Sequence, residues 1–580
     1  MRYLRMVTNA VAAGFLAAVY LTILVLQINP HVSVVSATAL RWFVALLALY
    51  GPYLSVLILL LILAREAIAS RPLQPGWLSL RILAWLSAAA AVAAAALTWA
   101  NLRGLRSMLA ETAADHMRQG AVATTICASV LVGVAVLRYS FGRRGNRPAA
   151  ALMVASVSAS VIVPLWVRGP GEVPVPAARR SNQATVAAAP ARVRLLLLDG
   201  ASRGFVLQRV ASGQLPNFGT LIERGAALDL ATLRPTQAES VWTAAATGKY
   251  PPKNGVRSDY IYRVGAEEEE AVNLLPDYCF AQALLYQGFV QAAPLSSQSL
   301  RARPVWDVLN DYGVTVGVVN WPLTRPAEIA NGYLLSDAFD EATSSPLRSG
   351  DLGAGDPTTA VDIARPVFDK WQATPWAQTI PGASPDDPRA AGLRRPRWDQ
   401  AYLEAEPELV RSFVPKFIAL RLEGIDELGH WYLGDAQPEL FGASRGTDPR
   451  RSMLDRYYAY VDGQIGRLME QQAPGDLLIV ISGFGIERTP IVKRLFARLI
   501  GEGATTGSHE AAPDGFLVAY GTNVTPGEFR RGSVVDLAPT VLYYMGLPLG
   551  RDMDGFARTD LFKANYTRDH PVTYTLTHER

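Results

Sequence analysis

A chain of 580 residues is too long for one domain, and a formal net charge of +4 on 55 basic and 51 acidic side chains gives no strong field of either sign. No nucleic-acid duplex partner is expected from such a balance. Hydrophobic residues make up 50%, high for a soluble protein, and the excess lies in the first third.

That third reads as a membrane region, residues 1–167. The stretches 8–28, 42–64, 82–100, 120–137 and 149–167 are apolar and near the roughly 20 residues that cross a bilayer. The first is not followed by a small-residue cleavage site, so it reads as a retained helix rather than a signal peptide. Gly51-Pro52 is a candidate kink, because proline removes a backbone bond. With five spans, Arg2, Arg5, Arg65, Arg71, Arg81, Arg138, Arg143, Arg144 and Arg147 fall on one side. Arg41, Arg103, Arg106 and Arg118 fall on the other. The richer side faces the cytoplasm, which places the N-terminus there and everything after Arg168 outside, periplasmic or extracellular. Segment 104–117 suggests a short amphipathic helix on the outer surface, and 168–191, rich in Pro, Ala, Gly and Arg, a linker. The two cysteines are Cys127 and Cys279; the first lies inside an apolar span, so a disulfide between them is not expected.

From residue 192 to about 563 the pattern changes. Strand-like runs at 193–198, 315–320, 417–423, 477–482 and 516–520 alternate with helical spacing at 205–225, 304–312 and 453–471. This predicts an α/β fold with a mainly parallel sheet flanked by helices. Segment 338–412, rich in Pro, Asp, Arg and Gly, reads as an insertion or cap over the sheet's working edge, and 564–580 as a C-terminal tail. The run Val193 to Leu198 ends in Asp199-Gly200, a buried strand delivering a carboxylate to the edge where open α/β sheets place ligands. Pro235 to Thr247 then reads as a loop entering a helix, whose unpaired N–H groups can hold an anion.

Several ordered pieces carry a resemblance: Asp199-Gly200, Leu215-Pro216-Asn217 to Gly225, Pro235-Thr236 to Thr247-Gly248-Lys249, and Asn320-Trp321-Pro322 to Pro326. The order continues with Asp426-Glu427-Leu428-Gly429-His430, Gly507-Ser508-His509 and Asp536 to Pro548. Together they resemble the alkaline phosphatase superfamily, in its type I phosphodiesterase/nucleotide pyrophosphatase branch. The resemblance implies an alkaline-phosphatase-like fold and a site for two zinc ions clamping a phosphoryl group. It implies that Asp426, His430 and His509 ligate one metal, three protein ligands leaving an open position. Two of the four histidines after residue 192 stand at these positions; His570 and His578 lie in the tail.

The second centre departs from the family pattern. Asp199 fits as a ligand, but the nucleophile position is Ala238, which has no oxygen to attack with. An Asp-His pair should follow Ser482, and the chain has Gly483 and Phe484 there. Ser240 is a possible substitute nucleophile only if the loop is rebuilt, since two residues along a helix turn it about 200° away. Glu239 and Glu510 are spare carboxylates nearby, and Asn254 stands where many relatives have His.

The expectation is a membrane-tethered, extracytoplasmic phosphodiesterase-like hydrolase with one retained zinc and a phosphoester ligand, Asp199 serving as fourth ligand or substrate anchor. Alternatives are an inactive pseudoenzyme acting as a binding or assembly module, and a lipid-headgroup phosphotransferase, against which Ala238 counts.

Overall fold

The computed structural model describes residues 1–580 except 69–74, 142–146, 170–190, 266–270, 277–278, 340–352, 376–388, 390–391, 443–451, 492, 496–504, 510 and 580. The chain divides into two compact units: Met1–Val175 with Tyr260–Pro294, and Pro176–Asp259 with Leu295–Arg580.

The helical unit holds α1 (Arg2–Ile28), α2 (Ala37–Ile68), α3 (Leu80–Leu105), α4 (Glu111–Phe141) and α5 (Arg147–Arg168). All five contain stretches long and apolar enough to cross a membrane. Pro52 sits inside α2, which continues through it. The expected amphipathic helix at 104–117 does not form separately. That segment is the end of α3, one 3-10 turn at Arg106–Met108 and the start of α4. Ala-rich faces of α3 and α4 pack closely, with Ala88, Ala91 and Ala128 buried beside Leu131, because small side chains let helix backbones approach. Cys127 carries a free thiol. Most of the expected linker lies outside the described residues, but Arg168 is not part of it. It closes α5, buried, donating to the carbonyls of Leu26 and Asn29 at 2.8 and 2.9 Å and to that of Val32.

A hairpin, Tyr260–Arg263 with Gln291–Pro294, and the helix Cys279–Tyr286 between its strands also belong to the helical unit, not to the 192–563 domain expected from the sequence. Val272, Leu284 and Val290 share a core with Leu26, Trp42 and Leu46. Asn29 ties the two together: its amide donates to Leu274 O at 2.7 Å and accepts from the Asn273 and Leu274 N–H groups, both at 2.9 Å.

The other unit is built on β1 (Val193–Leu198), α6 (Arg203–Ala211), α7 (Pro216–Arg224), β2 (Ala226–Ala231) and α8 (Ala238–Thr247). Next come α9 (Val305–Asp311), β3 (Val316–Trp321), β4 (Gly332–Ser336), β5 (Gly355–Asp356), α10 (Thr358–Ala373), α11 (Arg395–Phe413) and β6 (Phe417–Leu422). It closes with α12 (Gly424–Ala436), α13 (Met453–Glu470), β7 (Leu477–Phe484), β8 (Asp514–Gly521) and α14 (Leu537–Tyr544). The sheet runs β2-β8-β7-β1-β6-β3-β4-β5, with Gly527–Glu528 and Gly532–Ser533 extending it beyond β2. β1 pairs in parallel with β6 and β7, and β3 with β6 and β4, while β8 is antiparallel to both neighbours. Every residue of β1, β3, β6 and β7 is buried, as expected for strands covered on both faces. Their shared C-terminal edge carries Asp199, Asn320, Glu423 and Phe484.

Three readings of the sequence are corrected. The helical spacing at 205–225 is two helices, broken where Ser212 to Leu215 leave the helix. The described part of 338–412 is a crossover lying on the sheet: Phe339, Phe368, Trp398 and Tyr402 share a core with Leu420 and Leu422 of β6. Residues 564–580 are no loose tail. Leu549–Gly550 pairs with Tyr574–Thr575, and Glu579 and Asp552 each lie 2.5 Å from the Lys249 ammonium.

Candidate metal centre

α12 starts one residue past β6. Its entry is fixed from outside, because Asp399 accepts from the Glu423 and Gly424 N–H groups at 3.0 and 2.7 Å. Burial raises the Asp399 pKa to about 7, against the hydrogen bonds from Tyr457 and these two N–H groups. Asp426 lies in the first turn, where the positive end of the helix dipole favours a carboxylate. His430, four residues on, stands over the same face, with Nε2 3.4 Å from Asp426 Oδ2.

His509 joins them from a distant loop. One ligand atom from each of Asp426, His430 and His509 lies within 4.8 Å of the others. Both rings are held from behind. His430 Nδ1 lies 2.8 Å from Gly507 O, and His509 Nδ1 lies 3.1 Å from Thr236 O. A carbonyl only accepts, so each Nδ1 carries a proton, and each Nε2 faces the cluster, where losing its proton to a bound metal would leave a lone pair. Asp426 Oδ1 is buried and has no hydrogen-bond partner. One carboxylate and two imidazoles, oriented and short of one partner, fit a zinc ion with an open coordination position. Burial opposes ionisation of Asp426, but the His430 hydrogen bond and the charges of His430, His509 and Arg421 prevail and hold it below the usual range.

Two glycines allow this approach. Gly200 has φ +69°, and a Cβ there would lie 2.6 Å from Asp426 Oδ1 and 2.9 Å from Asp426 Cα. A Cβ at Gly507 would lie 2.4 Å from Gly429 O.

Asp199 is not part of this cluster. Its Oδ1 accepts from Trp242 Nε1 at 2.6 Å, and its Oδ2 from Arg421 Nε and Nη2 at 2.9 and 2.5 Å. Burial pushes its carboxyl up to about 7 against the pull of Arg421. Arg421, inside β6 and 5% exposed, was missed in the sequence. Its signal was present: a lone arginine between Leu420 and Leu422 in a fully buried strand requires a carboxylate partner.

Ala238 is the first residue of α8, and no side chain caps that helix end. Ser240 is fully buried and its hydroxyl has no hydrogen-bond partner, so no base is placed to activate it. Gly483 faces Val241, whose Cγ1 would lie 2.5 Å from a Cβ at that position. The Phe484 ring fills the neighbouring space, 5.1 Å from the His509 ring. Glu239 lies by Asp259, whose carboxyl is pushed well above its usual range by burial and then by the Glu239 carboxylate. Glu510 lies outside the described residues. Asn254 is buried in its own loop, donating to Lys249 O and accepting from Val256 N. Trp321, at the end of β3, packs into an aromatic group, its ring centroid 6.0 Å from Trp242 and 5.1 Å from Trp306.

A mainly parallel α/β sheet with an Asp-His-His cluster beyond its strand ends defines an α/β protein with a candidate metal centre at the sheet's ligand-binding edge. Residues 193–503 match the type I phosphodiesterase/nucleotide pyrophosphatase family, more than half of the chain. The chain belongs to that family, within the alkaline phosphatase superfamily. Among solved structures, it is similar to murine ectonucleotide pyrophosphatase/phosphodiesterase 5, described in an inactive form in complex with AMP. That match has 12% identity and a TM-score of 0.37, covering 64% of this chain and 100% of the other. The alkaline phosphatase PafA matches at 10% identity with a TM-score of 0.42, over 65% of this chain and 100% of that one. No curated protein matches the chain.

Proposed function

We propose that this protein is a membrane-tethered hydrolase of phosphoesters, phosphodiesters foremost, that works with one zinc ion held by Asp426, His430 and His509. The observation that carries the reading is the convergence of three ligand atoms within 4.8 Å, both imidazoles locked with Nε2 inward. A zinc ion bound there supplies a water ionisable near neutral pH, with a pKa of about 7. Ala238 contributes no oxygen, so attack comes from water rather than from an enzyme hydroxyl. The uncapped N-terminus of α8 offers N–H groups to phosphoryl oxygens. Phe484, Trp242 and Trp321 keep bulk water from the floor. In this reading the five apolar helices are the tether, and the arginine distribution supports a position outside the cytoplasm.

Full-length protein in detergent should carry about one zinc per chain and hydrolyse bis(p-nitrophenyl) phosphate. His430→Ala should lose both. Absence of bound metal together with absence of turnover would overturn the reading. A second reading, a binding module without catalysis, draws support from Ala238 and from the engagement of both Asp199 oxygens. Bound zinc without turnover of any phosphoester is its signature.

A further inference from the structure

Beside the three-residue cluster lies a second polar pocket whose cation belongs to the protein itself. Arg421 sits in a fully buried strand with its guanidinium on Asp199 Oδ2 at 2.9 and 2.5 Å and 3.2 Å from Glu423 Oε1. Asn320 Nδ2 donates to Glu423 Oε2 at 3.0 Å. Asn320 is 1% exposed, its backbone holds the left-handed φ of +57°, and its Oδ1 has no hydrogen-bond partner. Asp337 and Glu239 add further carboxylate charge around the same guanidinium. Among the described residues, Arg395, 3.1 Å from Glu423 Oε2 and about one-third exposed, brings a second positive charge. Carboxylates thus outnumber cations, and the buried pair Asp199 and Glu423 depends on Arg421.

We propose that the Arg421 guanidinium is the permanent occupant of a cation position framed by Asp199 and Glu423, the latter held by Asn320, and that shortening this side chain opens the position to a divalent metal ion. The donor set is two carboxylates, all oxygen, which selects hard cations such as Mn²⁺ or Mg²⁺ rather than the softer ion suited to two imidazoles. In the native chain the consequence is a centre that takes one metal only. Arg421 acts as a positioning residue: it engages Asp199 Oδ2, while Trp242 engages Oδ1, and so holds the carboxylate away from Asp426, His430 and His509.

Removing the guanidinium leaves two buried carboxylates without a counter-ion, an arrangement that strongly disfavours the fold. Serine in its place frees room for a small cation and roughly one or two waters, and a divalent ion restores the lost charge. Methionine removes the charge but fills the room.

The experiment uses the full-length protein, with Mn²⁺ as the probe and electron paramagnetic resonance and equilibrium dialysis as readouts. Arg421→Ser should bind one more Mn²⁺ per chain than the native protein, and its unfolding midpoint should rise in Mn²⁺ where that of Arg421→Met does not. The gain should persist in the His430→Ala/Arg421→Ser double variant, which separates it from the zinc cluster. Loss of zinc from the native protein would overturn the proposed function and leave this inference standing. The inference falls if Arg421→Ser gains no Mn²⁺, if Mn²⁺ rescues Arg421→Met equally, or if Arg421→Ser fails to fold even in millimolar Mn²⁺.

Discussion

Gly200→Ala tests the geometry on which the metal cluster depends. Gly200 has φ +69°, a region costing an L-residue about 1–2 kcal/mol. The added methyl would also meet Asp426, 2.6 Å from Oδ1 and 2.9 Å from Cα. The second contact is to backbone, so α12 must shift as a body, and such overpacking costs about 1–3 kcal/mol. Together the substitution should destabilise this unit by about 2–5 kcal/mol. At roughly 2 °C per kcal/mol for a unit of this size, its unfolding midpoint should fall by about 4–10 °C. Because the shift begins at Asp426, zinc content should fall with it, whereas destabilisation alone would leave the folded fraction fully loaded. Differential scanning fluorimetry and metal analysis of the same full-length sample measure both. An unchanged midpoint, or a lowered one with full zinc content in the folded fraction, would refute the claim that Gly200 sets the approach of α12 to β1.

Asn29→Ala removes three hydrogen bonds between the first helical connection and the hairpin segment. At about 1 kcal/mol each, hydrogen exchange at Asn273 and Leu274 should quicken roughly 150-fold. Asp455→Ala leaves Arg209 without its buried partner, now 2.6 Å away, and should lower stability by about 3–5 kcal/mol in chemical denaturation. His578 has its pKa lowered mainly by burial, and its Nε2 donates to Pro548 O at 3.0 Å. A depressed histidine contributes stability above its unfolded pKa of about 6.5 and loses it as pH falls toward the folded value. The midpoint of this unit should therefore drop below about pH 6, and His578→Gln should flatten that part of the profile.

Local signals carried far in this chain. Val193 to Leu198 is apolar throughout and stopped by Asp-Gly, and it is the central strand. The apolar runs at 417–423 and 477–482 became its parallel neighbours for the same reason. Strands β2 and β4 were passed over: Ala226 to Ala231 and Gly332 to Ser336 are short and weakly patterned, and they are strands only because β8 and β3 offer them edges. The hairpin at 260–294 falls outside the unit its place in the chain suggests, because nothing within it reveals that Val272, Leu284 and Val290 meet Trp42 and Leu46. In the candidate site, Asp426 and His430 were legible because a spacing of four is a property of one helix. His509 was found through motif order alone.

Five apolar helices, the parallel α/β pattern, the Asp-His spacing and the missing oxygen at Ala238 all follow from the order of residues, since each depends on neighbours along the chain. The role of Asp199 emerges only in the folded chain. Its partners, Trp242 and Arg421, are 43 and 222 residues away, and no local pattern distinguishes a carboxylate waiting for a metal from one already neutralised by a guanidinium. Charge compensation in a buried pocket depends on distance in space, and that is set by how the strands are ordered in the sheet.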